Sequence, residues 1–178
     1  MIAILLAALL LQVPENRAVA GGRMIDLNVV VLEATGKGPK REPLFILQGG
    51  PGQAATALAD FYARTFAPIR EQRDIVLVDQ RGTGKSNGLY CDMGDGFFPP
   101  AAIAACRDDV AKRADPRFYT TTEAVRDLDD VRRKLGYQRI NLYGTSYGTR
   151  VALEYARAYP RRVRSMVLKA VIAPSQRH

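Results

Sequence analysis

The sequence predicts an α/β protein with a mainly parallel sheet flanked by helices. Three observations lead there. Short apolar runs without polar alternation recur along the chain, as suits strands covered on both faces. Between them lie segments with apolar residues at helical spacing. The composition is globular, with 178 residues, 47% hydrophobic and 25% charged, long enough for one domain with a real core. The same composition sets exclusions. The longest apolar run, residues 1–11, is too short for a spanning helix, which needs about 20 residues. Glycine without a period and only two cysteines exclude collagen and a dense disulfide scaffold.

The elements follow in order. Residues 1–12 are a candidate apolar leader and 13–178 the body of one domain. The leader has the length of a signal-peptide core, and Ala18-Val19-Ala20 resembles a cleavage site. Against that, no Lys or Arg precedes the run, and Pro14-Glu15-Asn16-Arg17 is a poor neighbour for cleavage. A buried helix or strand is the alternative; export to an extracytoplasmic compartment is the preferred reading, with a cytoplasmic location otherwise. Residues 25–32 and 44–47 read as strands, separated by a Gly/Pro/Lys loop. Residues 57–66 have helical spacing, residues 75–78 form another strand, and residues 80–100 are turn-rich. Thr120-Thr121-Thr122-Glu123 is a helix start, with Val125, Leu128, Val131 and Leu135 on one face and Gly136 as the stop. Residues 140–143 are a strand, 149–159 a helix ending before Pro160, and 163–171 a final strand left as an apolar edge.

The formal charge is +8, from 26 basic and 18 acidic side chains. The basic residues sit in scattered small groups, such as Arg132-Arg133-Lys134, without the interleaved aromatics or glycines of nucleic-acid modules. They read as solvated helix ends, and no nucleic-acid partner is expected. Cys91 and Cys106 lie fifteen apart in a loop-rich stretch. They would pair in an oxidising compartment or stand as two buried thiols. A metal site is poorly supported, because no third ligand lies nearby.

Gly144-Thr145-Ser146-Tyr147-Gly148 matches G-x-S-x-G between a strand and a helix. A nucleophile there sits on a strained turn, where side chains at Gly144 and Gly148 would collide. The turn lifts the Ser146 hydroxyl above the sheet and aims the first helix amides, Tyr147 among them, at a developing oxyanion. Gln48-Gly49-Gly50-Pro51-Gly52 also joins a strand to a helix, where such a sheet supplies its second oxyanion donor. The Gly50 amide is the first choice and Gly49 the second. Asp79-Gln80-Arg81-Gly82-Thr83-Gly84-Lys85-Ser86 ends like a phosphate loop, but position 79 is Asp where that motif needs Gly. It reads as a structural loop near the site, with Arg81 paired to Asp79 or another carboxylate.

In this order the three motifs resemble those of the α/β-hydrolase peptidases of the proline iminopeptidase and tripeptidyl aminopeptidase family. The family's His-Gly-Gly-Pro-Gly is matched at residues 48–52 with Gln48 in place of His. Its Asp-Gln-Arg-Gly-x-Gly-x-Ser stands at 79–86 and its Gly-x-Ser-Tyr-Gly elbow at 144–148. Lys169-Ala170 stands where the family usually has Asp-Gly. The opening Val13-Pro14-Glu15-Asn16 and the Cys91/Cys106 pair look like the larger, exported branch. The resemblance implies an α/β-hydrolase fold, with its C-terminal strands and lid missing here. It also implies a peptide or small acyl substrate, release of N-terminal proline or short peptides through an acyl-enzyme, and no cofactor. Ser146 carries over as nucleophile, with Gly50 and Tyr147 as oxyanion donors.

A serine hydroxyl needs a base, and the base needs an orienting acid. In this fold the order is serine, acid, histidine. The single histidine is His178, read as a chance terminal residue. The single carboxylate between them, Glu154, lies about 12 Å along the helix from Ser146. The expectation is therefore a front portion of a hydrolase, nearly inactive alone. The rivals are an esterase on the same fold, a non-catalytic hydrolase-like module, and, more distantly, a nucleotide-binding protein. Oligomeric state is not legible.

Overall fold

The computed structural model describes residues 6–91 and 99–175. Six strands form one sheet: β1 (Leu6–Pro14), β2 (Met24–Leu32), β3 (Arg41–Leu47), β4 (Arg73–Val78), β5 (Ile140–Thr145) and β6 (Val163–Lys169). Their spatial order is β1-β2-β4-β3-β5-β6. β1, β2 and β4 pair antiparallel, and β4, β3, β5 and β6 pair parallel. The helices are α1 (Ala59–Thr65), α2 (Ala67–Arg70), α3 (Pro100–Arg113), α4 (Thr121–Lys134) and α5 (Tyr147–Ala158).

The unbroken apolar strands have the cause the sequence suggested: both faces of the sheet are covered. On one face, Val29, Phe45, Leu47, Val76 and Leu142 pack with Val125, Leu128 and Val131 of α4 and Val151, Ala152 and Tyr155 of α5. On the other, Val30, Leu32, Leu44, Ile46, Ile75 and Leu77 pack with Tyr62 and Ala63 of α1. The apolar N-terminal run, whose conformation the sequence left open, is strand β1 from Leu6 on. There Leu9, Leu11 and Val13 pack on the core, while Leu10 is 62% exposed. At the opposite edge β6 is largely exposed, including Met166 and Val167. This is the apolar edge expected of the last strand.

α4 starts as expected, with the Thr120 hydroxyl accepting from the Glu123 amide at 3.3 Å, and Gly136 follows it at φ +76°. Three boundaries differ from the sequence reading. α5 begins at Tyr147, two residues early, because Ser146 itself is the N-cap. β6 stops at Lys169, because Ala170 turns to φ +54°. α3 occupies part of the stretch between the turn-rich segment and α4, with Val110 as its buried residue.

Candidate active site

The C-terminal ends of β3, β4 and β5 each lead into a loop that the sequence singled out. β5 ends at Thr145, and Ser146 follows at φ +52°, ψ −123° before α5 begins. A non-glycine residue at positive φ is held only where its surroundings over-determine it. Here those surroundings are visible. The Ser146 amide donates to the Lys169 carbonyl at 2.9 Å. The Ser146 carbonyl accepts from the Thr149 amide at 2.9 Å and the Thr149 hydroxyl at 2.7 Å. A Cβ at Gly144 would lie 2.7 Å from the Gly148 carbonyl oxygen, and one at Gly148 would lie 2.0 Å from the Leu47 carbonyl oxygen. Both glycines of the motif are thus required by close backbone approach. Ser146 is half-buried at the surface end of the sheet.

The glycine loop after β3 runs directly against this serine. A Cβ at Gly49 would stand 3.0 Å from Ser146 Cβ and 3.5 Å from its Oγ. Gly50 is at φ +112°, which favours glycine, and is followed by a cis bond to Pro51. The arrangement therefore brings together Ser146, the N-terminus of α5 at Tyr147 and the Gly49 backbone, with Gly50 next in the same loop. The Tyr147 side chain points elsewhere, its hydroxyl hydrogen-bonded to that of Thr121 at 2.7 Å. Gln48 also faces away. It is buried, and its amide donates to the Tyr62 hydroxyl under α1.

The loop after β4 is a scaffold. Asp79 is fully buried, and its carboxylate accepts from the Thr56 amide (2.9 Å), the Thr56 hydroxyl (2.9 Å), the Asn28 side chain (3.0 Å) and the Lys85 amide (3.2 Å). Gly84 is glycine because a Cβ would meet Asp79 Oδ2 at 2.3 Å. Of the two partners open for Arg81, the structure selects the distant one. Its Nε and Nη2 each donate to Asp127 of α4 at 2.7 Å, and Nη1 donates to the Glu15 and Phe118 carbonyls at 3.0 and 2.9 Å. Burial pushes the Asp127 carboxyl up, and the guanidinium groups of Arg81 and Arg17 oppose that. An Arg81–Asp79 pair does not form, because the Asp79 oxygens are already taken. The sequence held a signal for Asp127: a carboxylate between Val125 and Leu128, on the inward face of a helix whose apolar stripe was already legible.

Cys91 and Cys106 form a disulfide joining the β4–α3 connection to α3. Glu154 points outward on α5 and pairs with Arg157, so it does not orient a group at Ser146. His178 lies outside the described residues, as do parts of the apolar leader and of the turn-rich segment. Among the described residues no cluster of His, Cys, Asp and Glu fits a metal ion, and no helix is long and apolar enough to cross a membrane.

Comparison with known proteins identifies the fold. The family model for the alpha/beta hydrolase fold matches residues 42–177. The chain is 29% identical over 187 aligned residues to a tripeptidyl aminopeptidase of Streptomyces coelicolor, covering 92% of this chain and 35% of that protein. It is 29% identical over 146 residues to a proline iminopeptidase of Neisseria gonorrhoeae, covering 82% of this chain and 37% of that protein. Among solved structures, a proline iminopeptidase-related protein from Thermus thermophilus superposes with a TM-score of 0.56 at 26% identity, covering 91% of this chain and 44% of that one. The chain thus spans about a third of the length of the curated relatives it matches.

Proposed function

The chain belongs to the alpha/beta hydrolase fold family, and from that premise we propose that it carries the nucleophile half of a serine peptidase of the aminopeptidase type. The observation that carries this reading is Ser146 at φ +52°, ψ −123°, at the N-terminus of α5 and against Gly49. A hydroxyl held on such a turn is presented for attack, and strain of this kind clusters at functional sites.

In the reaction, Ser146 Oγ attacks the carbonyl carbon of a peptide or small acyl substrate. The carbonyl oxygen becomes an oxyanion, received by the Tyr147 amide and an amide of the Gly49–Gly50 loop and favoured by the positive end of α5. The C–N bond then breaks, the amine leaves with a proton, and water hydrolyses the acyl-enzyme. The serine proton needs a base that gives it to the leaving amine. Histidine does not occur among the described residues, so a histidine base is not among them, and these residues by themselves are expected to turn over very slowly. The names of the relatives favour release of N-terminal proline or short peptides. The disulfide supports an oxidising, extracytoplasmic setting.

Labelling with a serine-reactive phosphonate, followed by peptide mapping, tests this. The expected result is label on Ser146, lost in Ser146→Ala, accumulating far more slowly than on a complete serine hydrolase. Absence of label at Ser146 after prolonged exposure overturns the nucleophile assignment. Labelling at the speed of a working hydrolase overturns the missing-base reading.

A further inference from the structure

The glycine loop is held from a side the catalytic motifs do not explain. The Tyr90 hydroxyl accepts from the Gly84 amide at 2.7 Å and donates to the Gly52 carbonyl at 3.0 Å. One oxygen therefore links the loop after β4 to the loop beside Ser146. Tyr90 is 56% exposed, so apolar burial does not hold it there. Its backbone is clamped instead. Cys91, the next residue, is bonded to Cys106 of α3. Arg113, two helical turns further along the same face of α3, donates from Nη1 to the Gly88 carbonyl at 2.7 Å and from Nη2 to the Tyr90 carbonyl at 3.1 Å. The strap is tightly shaped too, since a Cβ at Gly88 would lie 2.7 Å from both the Gly84 carbonyl oxygen and the Tyr90 ring.

We propose that Tyr90 is a positioning residue for the glycine loop, and that α3 aims it through the Cys91–Cys106 disulfide and Arg113. The proposal rests on the hydrolase reading for its consequence, the placement of the Gly49–Gly50 amides beside Ser146. Its structural content stands by itself. Gly52 lies two residues beyond Gly50, and the only other described bond inside this turn is a long one, from the Gln53 amide to the Gly49 carbonyl at 3.4 Å. The Tyr90 bond is the shorter of the two. Fixing the Gly52 carbonyl limits how far the Gly50 peptide can rotate. Because the Cys91–Cys106 bond and Arg113 tie α3 to this strap, reduction of the disulfide loosens the oxyanion side without touching the serine elbow.

The test uses the full 178-residue chain, uniformly 15N-labelled, as wild type, Tyr90→Phe and the Cys91→Ser/Cys106→Ser pair. Amide hydrogen exchange is read at Gly84, Gln53 and Thr149, and phosphonate labelling of Ser146 is resolved into reagent affinity and maximal rate. Loss of one hydrogen bond corresponds to about a three- to ten-fold effect. In Tyr90→Phe, exchange at Gly84 and Gln53 is expected to rise by that factor and the maximal labelling rate to fall by a similar one. Thr149 exchange and reagent affinity stay as in wild type. The cysteine pair variant moves the same readouts the same way, and adding Tyr90→Phe to it changes little more. Wild-type exchange at Gln53 in Tyr90→Phe overturns the proposal. So does faster exchange with an unchanged labelling rate, which makes Tyr90 merely structural. If wild type itself does not label, the hydrolase reading falls, and exchange at Gln53 alone decides whether Tyr90 holds the loop.

Discussion

Gly148→Ala probes the joint between α5 and β3. The added methyl would lie 2.0 Å from the Leu47 carbonyl oxygen, 2.5 Å from the Leu47 carbonyl carbon and 2.9 Å from the Gln48 carbonyl oxygen. Comfortable carbon contacts lie at about 3.5–4.0 Å. All three obstructing atoms are backbone, two of them in a central strand, so no rotamer change relieves the overlap and α5 must retreat from the sheet. Overpacking of this kind costs about 1–3 kcal/mol and occasionally more. Alanine's better helix propensity returns at most about 1 kcal/mol, and less in the first turn. An overlap as deep as 2.0 Å with backbone sits at the top of that range or above it, so the net expectation is a loss of about 2–3 kcal/mol and a fall in Tm of about 4–12 °C. The chain has no Trp, so urea unfolding is followed by circular dichroism and tyrosine fluorescence. Gly38→Ala serves as the control, since a Cβ there meets nothing within 4 Å, and it should stay within about 0.5 kcal/mol of wild type. If Gly148→Ala matched that control with an unchanged urea slope, the close-approach account of the elbow would be wrong.

Other outcomes follow from the same geometry. Ala170→Gly relieves a left-handed alanine at φ +54°; that strain of about 1–2 kcal/mol exceeds glycine's entropic cost of about 0.5–1 kcal/mol, so a thermal melt should show Tm rising by about 1–4 °C. Arg81→Met leaves Asp127 with Arg17 as its remaining described partner. Removing one side of a buried pair costs about 3–5 kcal/mol, read as a lowered urea midpoint, and Arg81→Lys restores only part of it because the fork geometry is lost. Burial works against the Asp74 carboxylate, but the Ala34 amide, the Tyr137 hydroxyl and the Lys40 ammonium together hold its pKa below the ordinary value. A depressed carboxylate stabilises fully above its unfolded value of about 3.9 and less as pH falls through the folded one. Wild type should therefore lose stability below about pH 4 more steeply than Asp74→Asn, as measured by melts between neutral and acid pH.

The parts of the molecule legible in the sequence are those fixed by local chemistry. β2, β3, β4 and β5 were readable because strands buried on both faces leave unbroken apolar runs. α4 was readable from Thr120 and its apolar stripe. The elbow was readable because only glycine tolerates the backbone approaches at positions 144 and 148. What escaped depends on distant partners. Arg81 bonds a carboxylate 46 residues away; the inward place of Asp127 on the α4 stripe marks it as buried, but nothing in the sequence around Arg81 points to it over Asp79. α3 went unread because it lies over a loop rather than the sheet, with Val110 as its buried residue, so it has no stripe to reveal it. Residues 1–12 stayed ambiguous because an apolar run of that length serves equally as leader or edge strand. Tyr90 has no motif around it, and its role needs the fold that brings Gly52 and Gly84 together.

The fully enclosed Asp79 carboxylate has a consequence for anyone who would transplant this site. Its ligands come from β2, from the segment entering α1 and from the turn after β4, so the glycine loop is not a cassette that can be cut out and pasted elsewhere. The smallest portable unit runs from β2 through α5. A graft carrying only the conspicuous glycines would arrive with its keystone missing.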